Sequence, residues 1–282
     1  MRIFSPEEVQ KGRVPTVDHI NFVLKHIWDQ LRDYSSIVHA IVLGSAGRGT
    51  IKHTSDIDMV VIYDDTDEER EEQAMLFLRS ACDFARLHAV SFEPVPIPIS
   101  IVETQFHSIG AGYMQHMIRL SKSGMPYIKG NPAGVFVQYN TEQDDLESYL
   151  RAKIRSVAEK IMLHGSGVLP DEYEALRSIM ITPVHVARRM LSAYVTQFDD
   201  DEKSIVIRRY KEVVTPRVYA NFELLVLLER EYSADLLRSL AKYDDGQYRG
   251  SIEKLWIFAP EVLRFLKDNA QIVLKRNAVL AR

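Results

Sequence analysis

The sequence predicts an α+β chain in two parts: a mixed sheet flanked by helices over residues 1–135, then a helical bundle over 140–282. Three observations predict it. Two apolar runs, Ile37-Val38-His39-Ala40-Ile41-Val42-Leu43 and Met59-Val60-Val61-Ile62, flank a glycine-rich loop; short apolar runs bounded by turn residues read as buried strands. Residues 16–34 on one side, and the stretch that follows the acidic run 64–72 to about His88 on the other, repeat apolar side chains at helical spacing. Beyond about residue 142 strand character fades, and positions such as Leu224, Leu225, Leu228, Leu236, Leu237 and Leu240 recur at three and four, as in a bundle.

Taken in order, the first helix runs over 16–34. Thr16 or Asp18 caps it, and Ile20, Val23, Leu24, Ile27, Trp28 and Leu31 form its apolar stripe. His19 and His26 read as surface or boundary residues. Residues 37–43 are nearly all apolar, hence a central strand. Residues 56–63 form the second strand. The acidic run 64–72 reads as a loop and the first turn of a helix, where carboxylates favour the dipole; that helix continues to about His88. Residues 90–102 hold a third strand. Pro94, Pro96 and Pro98 each remove a ladder donor, which places the segment at an edge, with Ile97 to Val102 as the strand proper. Residues 104–123 read as a helix weakened by Gly110 and Gly112. A turn-rich exit from Gly124 to Pro132 leads to a boundary between about 130 and 142. The bundle helices are expected at 143–164, 171–197 with a break or kink at Pro183, 201–213, 217–242 and 250–277.

The stretch around which the chain is organised is IVLGSAGRGTIKHTSDIDMVVIY, residues 41–63. Strand side chains alternate faces, so Asp56 and Asp58 point one way and Ile57 and Met59 the other. Two carboxylates that close repel each other unless a cation lies between them. Mg²⁺ fits, because it takes oxygen ligands and is held by one or two carboxylates plus substrate phosphates. Gly44, Gly47 and Gly49 let backbone approach a ligand closely, and their exposed N–H groups suit phosphate oxygens. Arg48 and Lys52 add positive charge at the same place.

The string GSAGRGTIKHTSDID resembles the signature of the polymerase-β-type nucleotidyltransferase superfamily: Gly-Ser, about ten residues, then Asp-x-Asp in a strand. Its finer form, Gly-Ser-x-x-Arg-Gly followed by Ser-Asp-Ile-Asp, is similar to the minimal and the aminoglycoside (kanamycin-type) nucleotidyltransferases. The resemblance implies an N-terminal nucleotidyltransferase domain. It implies transfer of a nucleoside monophosphate from a nucleoside triphosphate, ATP being the expected one, to an acceptor hydroxyl of a small molecule or protein, with release of pyrophosphate. Asp56 and Asp58 would hold one or two Mg²⁺ ions. Gly44 and Ser45 would bind the β- and γ-phosphates, Arg48 and Lys52 would offset their charge, and Ser55 would orient the Asp56 loop. The family's third strand usually carries a third carboxylate. Here Ser100 stands on the aligned face, and alternation from it turns Glu93 and Glu103 to the other side, unless a bulge at the prolines brings Glu93 inward. The general base is therefore Glu93, Glu103 or a metal-bound water. Tyr127-Ile128-Lys129-Gly130 resembles a short strand of the family.

The acceptor is expected in a cleft between the two parts. Asp144, Asp145 and Glu147 at the start of the bundle would either meet a cationic acceptor or serve the helix dipole. The competing reading is a regulatory module that binds nucleotide, or pairs with another protein in the manner of an antitoxin, and transfers nothing. It draws on the lack of a third carboxylate on the aligned face.

Bulk composition narrows the classes. The chain has 282 residues, 46% hydrophobic and 26% charged, which is ample for one large or two modest cores. A net charge of −4 argues against a nucleic-acid enzyme. The single Cys82 forms no internal disulfide and fits a reducing, cytoplasmic setting. No apolar run reaches the roughly 18–20 residues needed to span a bilayer, and MRIFSPEEVQKGR lacks a signal-peptide core. A homodimer is compatible with all of this.

Overall fold

The computed structural model describes residues 4–102, 104, 111–122, 124, 126–136, 142–195, 198, 203–242 and 245–280. These fall into two compact units: one within residues 12–140, the other combining residues 4–11 with those from 141 onward.

The first unit is a mixed four-stranded sheet with helices. Helix α1 (Pro6–Gln10) precedes it and belongs to the second unit; its Ser5 and Glu8 form a reciprocal cap, with Ser5 N–H donating to Glu8 Oε2 at 2.7 Å. Helix α2 (Val17–Asp33) starts at Thr16, whose hydroxyl accepts from His19 N–H. Strand β1 (Ile37–Val42) leads through the short helical turn α3 (Gly44–Gly47) to β2 (Ile57–Tyr63). Helix α4 (Glu68–Leu87) is capped by Asp67 and connects β2 to β3 (Phe92–Pro98). Helix α5 (Ala111–Lys122) and strand β4 (Ile128–Lys129) complete the unit. The strand order is β3-β2-β1-β4, with β2 and β3 parallel and β1 antiparallel to both β2 and β4.

Both faces of the sheet are covered. Ile57, Met59, Val61 and Tyr63 of β2 join α2 and α4 in one apolar cluster, which includes the whole predicted stripe from Ile20 to Leu31. Val60 and Ile62, of the opposite parity, join Ile41, Leu43, Ile97 and the α5 residues Met114, Met117 and Leu120 in a second. Each fully buried side chain of this size contributes about 1.5–3 kcal/mol. Asp58 has the parity of Val60 and Ile62, so it points to the α5 side, at the end of the strand where that second cluster stops.

The third strand departs from the sequence expectation. It occupies Phe92–Pro98 rather than 97–102, and Ile99–Ile101 form a 3₁₀ turn. Ser100 is not on the sheet at all; its N–H donates to Asp65 Oδ1 at 3.0 Å and its hydroxyl to Asp65 Oδ2. Without Ser100 as the reference, the parity reverses. Ile57 N–H donates to Ser91 O at 2.9 Å, so Ser91, Glu93, Val95 and Ile97 turn their backbone groups toward β2. Pro94, Pro96 and Pro98 turn their donor-less nitrogens to the open edge, where no ladder bond is lost. The β2–β3 register runs without a bulge and sets Asp58 directly beside Glu93. Glu103 lies outside the described residues, as does most of 105–110 ahead of α5.

The second unit is helical: α6 (Glu142–Leu163), α7 (Glu172–Tyr194), α8 (Lys203–Arg209), α9 (Pro216–Lys242) and α10 (Asp245–Leu280), with a 3₁₀ turn at Tyr210–Glu212. Helix α7 continues through Pro183 instead of breaking there, and α10 includes Pro260. Tyr210, fully buried, donates its hydroxyl proton to Asn269 Oδ1 and packs edge-on against Phe222. No helix among the described residues is long and apolar enough to cross a membrane.

Candidate active site

The antiparallel β1–β2 pair brings the end of β1 against the start of β2, where Leu43 N–H donates to Asp58 O at 2.8 Å. The chain turns immediately after that bond. Gly44 has φ +62, a left-handed conformation that L side chains rarely adopt, and a Cβ there would lie 2.9 Å from Asp58 Oδ2. Glycine suits this position: the left-handed turn strains any L side chain, and a Cβ there would push the Asp58 carboxylate aside. Gly47 is constrained differently, since a Cβ would meet Val42 O at 2.3 Å.

The glycine-rich loop is a one-turn helix followed by a tied return. Gly47 N–H donates to Leu43 O at 2.9 Å, and Thr50 N–H to Ser45 O at 2.9 Å. Ser45 and Ser55, ten residues apart, share a hydroxyl–hydroxyl bond of 2.9 Å, and Lys52 N–H donates to Ser55 Oγ at 2.9 Å. These bonds hold the start of the turn to the residue before Asp56. The Lys52 side chain is exposed, while Arg48 is half-buried and acts electrostatically on Asp58.

Asp56, Asp58 and Glu93 converge, each offering a carboxylate oxygen within 4.8 Å of the others. Asp56 and Asp58 are half-buried and Glu93 is exposed. Burial first and the neighbouring Glu93 second push the Asp58 carboxyl up to about 6, against the pull of Arg48. Three oxygen donors this close fit a hard divalent cation, whose charge would relieve their repulsion. Ser91 Oγ donates to Glu93 Oε1 at 3.4 Å.

Sequence reasoning put Asp56 and Asp58 together and kept Glu93 as a possible third carboxylate only through a bulge at the prolines; the unbulged register brings it there instead. The signal that places it was present: Glu93, Val95 and Ile97 alternate with the three prolines, and the apolar pair gives the face of the second core cluster. At the other end of the chain, Glu147 accepts from Arg151 one turn on and from Asn277 Nδ2 at 3.4 Å, both within the helical unit. Asp144 and Asp145 lie on α6, but their side chains are outside the described set.

Residues 24–90 match the family model described as a nucleotidyltransferase domain. The match covers most of α2, both central strands, the Gly44–Asp58 segment and α4, and ends three residues before Glu93. No curated protein matches the chain.

Proposed function

We propose that the protein is a Mg²⁺-dependent nucleotidyltransferase that moves a nucleoside monophosphate from a triphosphate, ATP being the expected donor, to a hydroxyl of a small molecule or protein. The observation that carries this reading is the meeting of three carboxylates within 4.8 Å beside a left-handed glycine turn. Asp56, Asp58 and Glu93 would hold one or two Mg²⁺ ions, which when bound offset phosphate charge and stabilise the attacking and leaving oxygens of the displacement.

The remaining roles belong to the chain itself. Gly44 and Ser45 bind the β- and γ-phosphates through N–H groups and the Ser45 hydroxyl. Ser55 holds Ser45 and Lys52 in the loop, and so fixes the turn relative to Asp56. Arg48, already close enough to act on Asp58, supplies positive charge where pyrophosphate leaves. Lys52 contributes to the potential at the loop's outer side. Glu93, the most exposed of the three acids, takes the proton of the incoming hydroxyl.

The presence of Glu93 beside Asp58 favours this enzyme over a module that only binds nucleotide. Incubation with Mg²⁺, α-labelled triphosphates and a panel of acceptors should release pyrophosphate, and Glu93→Gln should lower that rate about a hundredfold or more. Tight nucleotide binding without release over the whole panel would assign the fold to a binding or regulatory role instead.

A further inference from the structure

Helix α9 carries apolar side chains on two opposite faces. Val218, Phe222, Leu225 and Val226 are buried on the face that packs within the helical unit, chiefly against α10. Ala220, Leu224 and Leu227 lie on the other side of the helix and are exposed, Leu224 at 48% and Leu227 at 60%. A surface helix ordinarily turns polar residues outward. A single exposed leucine needs no explanation, but these positions form a pattern. Arg217, Ala220, Leu224, Leu227 and Glu231 follow one another at steps of three, four, three and four, and all five are exposed. Such a row is the seam of a two-helix coiled coil, here apolar in the middle and charged at both ends.

The charges beside the seam decide what fits it. Glu223 and Arg230, both exposed, stand seven residues apart along one edge of the seam. Glu223 also acts on the Tyr219 phenol, one turn back on α9. A second copy of α9 laid parallel and in register would set Arg217 against Arg217 and Glu231 against Glu231, with Glu223 opposite Leu228. An antiparallel copy, related by a two-fold axis midway between Leu224 and Leu227, removes those clashes. Each Leu224 then meets Leu227 of the other copy, and Glu231 meets Ala220. Glu223 comes beside Arg230 of the other copy, and symmetry makes that pair twice. The face is thus complementary to itself in one orientation, as an isologous contact requires.

We propose that the outer face of α9 is the contact of an antiparallel, two-fold dimer of this chain, with Leu224 and Leu227 as its core and two Glu223–Arg230 pairs along its edge. The seam from Arg217 to Glu231 spans about 22 Å of helix. Two such helices bury less than about 1,200 Å² in total, the range of weak, reversible association. The dimer therefore forms with a Kd of about 10–100 µM.

Sedimentation velocity of the full chain at low salt, from about 1 to about 300 µM, tests this, since that range brackets the expected Kd. The mass should pass from one copy to two as concentration rises. Leu227→Asp should weaken the dimer about tenfold or more, because it places a carboxylate in the centre of the contact. Glu223→Arg should weaken it about three- to tenfold by setting like charges together at both edges. Adding Arg230→Glu to that variant should restore association, since the pairs re-form with their signs exchanged. A chain that stays single over the whole range overturns the proposal and leaves the face to a different protein. Undiminished association by Leu227→Asp places the contact elsewhere, and undiminished association by Glu223→Arg fits a parallel pairing; either result also overturns it. Failure of the double reversal to restore what the single reversal lost does the same. Should Leu227→Asp lose helical circular dichroism, Leu224→Gln, a good helix former at an exposed position, gives the same reading.

Discussion

Asp58 is where most of the local physics meets. It lies against a glycine in the left-handed conformation, beside Glu93, with its carboxyl pushed up to about 6. In the unfolded chain the same group titrates near 4. The folded state therefore holds the proton more tightly, and the metal-free fold loses stability as pH rises from about 4 to about 6, then stays at that lower level. After allowance for solvent screening the loss is about 1–2 kcal/mol. Asp58→Asn should thus stabilise the protein in EDTA at pH 8 by about that amount, while removing the rise in melting temperature that Mg²⁺ gives the unmodified chain. Because the proton and the cation compete, Mg²⁺ affinity should fall about tenfold per pH unit below 6. Thermal melts across pH, with and without Mg²⁺, check both; an Asn variant less stable than the parent in EDTA at pH 8 would contradict this account. The Gly-Ser and Asp-x-Asp residues were legible because their chemistry is written in fifteen contiguous positions, 44–58. Glu93 was not, since its partner is set by strand register rather than by sequence distance.

At the scale of elements, β3 shows what misled the sequence reading. Three prolines suggest a broken strand, and the apolar residues beyond them draw the strand toward Val102. In the sheet the prolines cost nothing, because every second residue of an edge strand faces outward. They also deny the open edge its donors, which protects it from pairing with another chain. Pro96, exposed on that edge, is the place to test this. Pro96→Thr should change unfolding free energy by less than about 1 kcal/mol and increase concentration-dependent self-association in sedimentation velocity. A gain of about 1 kcal/mol or more would mean that the Pro96 nitrogen faces β2, where threonine restores a ladder donor. Helices were read more easily than this strand. The α2 stripe and the α4 start followed from periodicity and an acidic first turn.

At the scale of the molecule, the division of the chain is not linear. Residues 4–11 belong with the helices that begin at 142, and the sheet unit lies between them in sequence. Periodicity and caps say nothing about which distant segment an element joins, so this could not be read in advance. Phe4 is 1% exposed and is the natural probe. Phe4→Ala should cost about 3–5 kcal/mol, and hydrogen exchange should show the loss in α10 and its neighbours while β1 and β2 keep their protection. Loss confined to the strands would assign the N-terminal segment to the other unit. The same arrangement bears on synthesis. A ribosome finishes residues 12–140 before it has made most of the helices that the opening segment packs with. The sheet unit, with both central strands and all three acids already out of the tunnel, is free to fold on its own, while Phe4 waits for a partner still to be translated.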